Sequence, residues 1–143
     1  MDVSRELTLQ LEEIITKGLE DIPIPYQKGN SIRLKNIVIR KHKNGYKLFD
    51  CAVNSHIVTT FTKTAALAVA KNIVEKQPQN VVDEIIRMDD KVAKHYMDAL
   101  FSKRSCEVSK DPDKRENSRI LFDISMDKAW SSLEAIEDYI FDK

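Results

Sequence analysis

The residues best placed to do chemistry are the cations around one turn. The segment IRKHKNGYK carries Arg40, Lys41, His42, Lys43 and Lys47 on either side of Asn44-Gly45. Asn-Gly between β-branched and aromatic runs is a strong hairpin signal, because both residues accept the positive φ of a two-residue turn. With Asn44 and Gly45 as the central residues, Lys43 faces Tyr46, His42 faces Lys47 and Arg40 faces Phe49. Paired residues share a sheet face, so Arg40, His42 and Lys47 gather on one side near the tip, flanked by Lys41 and Lys43. Such a strip could lie along phosphates or enter a major groove. It could equally meet an acidic protein surface, or serve only to keep a sheet edge soluble.

Other chemistry is poorly supplied. Cys51 and His56 could give two metal ligands, but no second close pair completes a structural zinc set. The stretch DPDKRENSRILF opens like a calcium loop at Asp111 and Asp113. It then lacks the glycine at the sixth place and ends in Phe122 where a bidentate glutamate is required. The 3 glycines are scattered and build no phosphate-cradling loop, and no serine stands in a nucleophile-elbow context. Asp89, Asp90, His95 and Asp98 read as the solvated face of a helix. The expectation is a non-enzymatic protein with no catalytic residues, and with no metal, cofactor or small-molecule ligand.

The elements that position the cationic strip follow from charge and periodicity. The chain of 143 residues has a formal net charge of zero, yet residues 31–76 hold nine basic against two acidic side chains, and both flanking segments are acidic. A basic middle between acidic ends implies a localised contact surface. Hydrophobic residues at 42% and charged residues at 32% fit one globular domain, 1–143. The polar, acidic start MDVSRELTLQ predicts no signal peptide, and no apolar run reaches the roughly 20 residues of a membrane span. Cys51 and Cys106 are expected to be buried, reduced thiols in a cell interior.

The predicted fold class is α+β. Apolar positions Leu7, Leu11, Ile14, Leu19 and Ile22 predict an amphipathic helix over 3–22, ended by Pro23 and Pro25. Residues 32–61 predict a three-stranded antiparallel meander. Thr62 or Thr64 caps a helix over 63–76, whose alanines suit close packing on a sheet. Residues 80–141 predict an antiparallel helical hairpin, one arm over 80–105 and the other over about 119–141, with the polar stretch 108–117 as its loop. Mutual packing alone could satisfy these helices, but the near-heptad stripes of the first helix and of the helical hairpin are long for one small domain to cover, so self-association or docking on a larger assembly is expected.

Three strands followed by an alanine-rich helix resemble, in layout only, plant-type three-stranded DNA-binding domains. The tryptophans and arginines that those domains place on the sheet are mostly missing here. A wider resemblance rests on the stretch from IPIPYQKGNSIR through IRKHKNGY to TFTKTAALAVAKN, with KHYMDALF and ISMDKAW further on. Over nearly the whole chain it resembles small conserved proteins encoded by large contractile-tailed phages of marine bacteria and cyanobacteria. The resemblance brings no activity and no catalytic residues to carry over. It implies a virion component or assembly factor in the host cytoplasm or the virion, with another phage protein or a second copy as partner. A nucleic-acid-binding accessory protein, or a modulator of a host protein, are the alternatives.

Overall fold

The computed structural model describes residues 3–16, 26–28, 31–43 and 45–140. The chain is α+β, in the order α1 (Val3–Thr16), β1 (Tyr26–Lys28), β2 (Ser31–Leu34), β3 (Ile37–His42), β4 (Gly45–Asp50), β5 (Ser55–Thr60), α2 (Lys63–Val74), α3 (Gln79–Val108) and α4 (Pro112–Glu137). The strands form one antiparallel sheet in chain order. Strands β2 to β5 make its body, and the three-residue β1 pairs along the free edge of β2.

The sheet departs from the predicted three-stranded meander. The run IRLKNIVIRKHK is two strands, folded back at Lys35-Asn36, where Lys35 adopts φ +50°. The hydrophobic phase requires this break. Ile32 and Leu34 would face opposite to Ile37 and Ile39 in one continuous strand, because strand side chains alternate. The turn brings Ile32 opposite Ile39 and Leu34 opposite Ile37, so all four share the inner face. Arg33 Nε donates to the Lys35 carbonyl at 2.8 Å, and Cys51 N donates to the Asn36 carbonyl at 2.8 Å, which fixes the turn.

Helix α2 lies between the sheet and the hairpin of α3 and α4. Its residues Thr64 to Ala70 are all buried, as expected of a helix enclosed on both sides rather than packed by one stripe. The alanines let the sheet backbone and the hairpin approach it from opposite directions. Thr62 is the N-cap: its Oγ1 accepts from Ala65 N at 3.2 Å. The far end is tied by Asn72, buried, whose Nδ2 donates to the carbonyls of Ala68 at 2.7 Å and Tyr139 at 3.0 Å. Asn72→Ala leaves the Tyr139 carbonyl without this donor and is expected to cost about 1–3 kcal/mol, read as a lower urea midpoint.

Helices α3 and α4 meet through Val82, Ile85, Val92 and Ala99 on one arm and Phe122, Met126, Ala129, Leu133 and Ile136 on the other. At 30 residues α3 is roughly 45 Å long and outruns α2, which has 12. Helix α1 covers the surplus with Leu7, Leu11 and Ile14, and Glu6 pairs with Arg119 of α4 at 3.1 Å. Tyr96 of α3 sits beneath it, its phenol raised above the ordinary 10.0 by burial first and then by the Glu12 carboxylate.

Helix α4 also begins earlier than its predicted start near residue 119. The polar stretch 108–117 is mostly helix, and only residues 109–111 connect the two arms. Asp111 caps the helix, accepting from Asp113 N at 3.0 Å, and Pro112 takes the first turn, where a missing N–H costs nothing. The last helix, predicted to run to about residue 141, ends at Glu137, and residues 138–140 form a turn. The predicted end of the first helix at Ile22 and the Pro23–Pro25 connection lie outside the described residues.

Candidate contact surfaces

The hairpin between β3 and β4 pairs in a different register from the predicted one. Arg40 stands opposite Lys47, Lys41 opposite Tyr46 and His42 opposite Gly45. The two loop positions are therefore Lys43 and Asn44, of which Asn44 lies outside the described residues, and Gly45 is drawn into the strand. Its φ is +150°, and a Cβ there would stand 2.2 Å from the Thr60 carbonyl oxygen. The close approach of β5, more than the turn itself, is what requires glycine at this position. Pairing slips by two positions in all, so every residue keeps its face although each changes partner.

The five candidate cations separate accordingly. Arg40, His42 and Lys47 share the outer face. Lys41 belongs to the opposite face, its ammonium 4.6 Å from the Tyr46 ring centroid. Lys43 is exposed in the loop.

The outer face is wider than the strip at the tip. Register places Arg33, Val38, Phe49 and His56 in one row across β2, β3, β4 and β5, and Ser31, Arg40, Lys47 and Thr59 in the next. The helical layer packs on the other side, so no described helix covers these rows. Phe49 is half-buried at their centre. The Arg40 guanidinium lies 5.7 Å from its ring centroid, and the His56 ring meets it edge-on at 5.5 Å and 65°. His56 Nε2 and Thr59 Oγ1 share a hydrogen bond of 3.0 Å. No carboxylate stands in either row of β2 to β5. Asp50 pairs with Ile37, on the other face, and accepts from Ala52 N at 2.9 Å. Among the described residues, Arg33, Arg40 and Lys47 have no carboxylate partner. Charge alone marked the tip; Phe49 and His56 were readable from strand alternation once the register was known.

A second surface runs along the helical hairpin. Met97, Phe101 and Val108, spaced by four and seven, form a stripe on α3 pointing away from the core, and are 58%, 73% and 78% exposed. Ile120, Leu121 and Ile124 are exposed on α4. Nearer the start of α3, Lys91, Lys94, His95, Asp127 and Lys128 line an open groove between the arms.

Asp89 does not belong to a solvated face. It is 3% exposed and accepts from Phe61 N at 2.7 Å, Thr62 N at 3.1 Å and Thr62 Oγ1 at 2.8 Å, so it anchors the strand-to-helix corner to α3. Cys106 is buried as expected, whereas Cys51 is exposed in the turn after β4. Both are free thiols. Among the described residues, no group of three or more His, Cys, Asp or Glu is placed to hold a metal ion, and no helix is long and apolar enough to cross a membrane. Comparison of the chain with protein-family models, with curated proteins and with solved structures found no match.

Proposed function

We propose that the protein is a non-enzymatic structural or assembly protein of a phage, a virion component or assembly factor working through protein–protein contacts. The observation that carries this reading is the stripe of Met97, Phe101 and Val108, three large apolar side chains more than half exposed on one line of a well-packed helix. Helix α3 already has a complete buried seam on its other side, so folding gives these residues no task. Exposed apolar lines of this kind mark association surfaces, and a helical stripe is self-complementary across a two-fold axis. The expected partner is a second copy, with another phage protein as the wider case.

Sedimentation of the full chain at micromolar concentration tests this. A dimer is expected, and Phe101→Asp is expected to weaken it roughly a hundredfold while leaving the circular dichroism unchanged. A monomeric wild type whose stripe captures nothing from purified phage particles, with mass spectrometry failing to find the protein in them, rules the reading out.

A second reading, a nucleic-acid-binding accessory protein, is favoured by one observation of its own: the carboxylate-free outer face of the sheet, which carries Arg33, Arg40 and Lys47.

A further inference from the structure

We infer that the outer face of the sheet is a platform for single-stranded nucleic acid, with a base stacking at Phe49 and the phosphates following Arg33, Arg40 and Lys47. This rests on the nucleic-acid reading and adds the form of nucleic acid and the way it is held.

Charge selects a polyanion. The two rows across β2 to β5 contain three permanent cations, one histidine and no carboxylate, although the chain as a whole is neutral. In a protein with as many acidic as basic residues, a face without a carboxylate concentrates the field on one patch. The three cations spread across β2, β3 and β4, with Arg40 and Lys47 directly opposite one another. They form a band across the strands, suited to an extended backbone.

The centre of the face distinguishes a single strand from a duplex. A duplex presents phosphates and groove edges, for which a half-buried phenyl ring offers nothing. An unstacked base presents a flat apolar surface, and Phe49 stands in the middle of the cationic band. The Arg40 guanidinium 5.7 Å from its centroid and the edge-on His56 ring at 5.5 Å extend the aromatic area with groups that also stack on bases. The His56–Thr59 hydrogen bond holds that ring in place beside Phe49. An acidic protein surface would satisfy the cations and leave the aromatic group without a role, which favours nucleic acid as the occupant.

Fluorescence anisotropy on the full chain tests this with a labelled oligothymidylate of about 20 nucleotides, longer than the roughly 4–16 that one small binding domain covers. A duplex of equal length and labelled polyglutamate are the companion probes. The single strand is expected to bind best, and Phe49→Leu, which keeps an apolar side chain without the ring, is expected to weaken it about tenfold, with Phe49→Tyr restoring it. Three phosphate contacts give a slope of log K against log salt near −2, about a tenfold to twentyfold loss between roughly 50 and 200 mM salt. Arg40→Ala and Lys47→Ala should each flatten that slope.

A duplex bound more tightly than the single strand, with Phe49→Leu unchanged, overturns the platform while the nucleic-acid reading stands. Polyglutamate bound as well as the oligonucleotide, again without dependence on Phe49, assigns the face to an acidic protein and overturns both. Binding of neither probe at low salt also overturns both. Circular dichroism of each variant separates lost binding from lost fold.

Discussion

Asp89→Ala is expected to destabilise the protein by about 3–5 kcal/mol, measured by urea denaturation, a large share of the 5–15 kcal/mol typical of a domain. The side chain is the meeting point of three donors: the backbone amides of Phe61 and Thr62, and the hydroxyl of Thr62. All belong to the corner where β5 passes into α2, a place where neither sheet nor helix can satisfy the backbone. The same Thr62 hydroxyl oxygen accepts from Ala65 N, so Asp89 also orients the cap that starts the helix. Removing the carboxylate leaves buried donors without acceptors at about 1–3 kcal/mol each and loosens the join between the sheet layer and α3. Asp89→Asn retains one acceptor oxygen but sets an amide against the Phe61 N–H, and should lose about half as much. An Ala variant within about 1 kcal/mol of wild type would show that the corner is held by other means.

The same carboxyl gives the stability a dependence on pH. Burial pushes its pKa above the ordinary 3.8; the hydrogen bonds from Phe61 and Thr62 pull the other way, and the nearby Asp90 carboxylate adds a smaller upward push. The folded chain therefore keeps this proton to higher pH than the unfolded chain does. The contribution of Asp89 is full below the unfolded value, and it declines as pH rises through the raised folded value. The stability difference between wild type and Asp89→Asn should be largest in acid and shrink across that window. A difference that stays constant, or that grows with pH, would mean the hydrogen bonds outweigh burial.

The position of Asp89 shows where the residues speak for themselves and where they do not. In sequence it stands among Asp90, His95 and Asp98, and a charged run on a helix usually means solvent. Only the placement of Thr62 against α3, a contact between positions 27 apart, reveals the donors waiting for it. Local signals fared better. The alanines of α2, the seam of α4 from Phe122 to Ile136, and the face shared by Arg40, His42 and Lys47 all follow from periodicity, because one buried side fixes parity. The second strand break was also written in the chain, in the phase change between Ile32-Leu34 and Ile37-Ile39, but the unbroken β-branched character of the run concealed it. At Asp111-Pro112 the capping pair was present, and the polarity of the residues after it suggested a loop instead. The stripe of Met97, Phe101 and Val108 is a further case. Spacing alone reads Met97 and Phe101 as inward and leaves Val108 to the loop, and only the seam on the opposite side of α3 shows that all three are surplus to the core.

Gly45→Ala is expected to cost on the order of 3 kcal/mol, with a fall in Tm of roughly 10 °C. The added Cβ would stand 2.2 Å from the Thr60 carbonyl oxygen and 3.3 Å from its carbon. That carbonyl has little room to retreat. Thr60 Oγ1 donates to the Thr62 carbonyl at 2.9 Å, and the next two amides, of Phe61 and Thr62, are both held by Asp89. The strain at Gly45 thus runs into the best-anchored corner of the molecule. Gly45→Asn distinguishes this from an ordinary turn requirement. Asparagine tolerates the left-handed conformation of a two-residue turn, so it would be nearly neutral if Gly45 were a central turn residue beside Asn44. With Gly45 opposite His42 in the ladder and pressed against β5, asparagine carries the same Cβ into the same carbonyl and should lose at least as much as alanine. Thermal melts of the two variants decide the register: similar large losses support the pairing of Arg40 with Lys47, and a near-neutral asparagine would restore the pairing of Arg40 with Phe49.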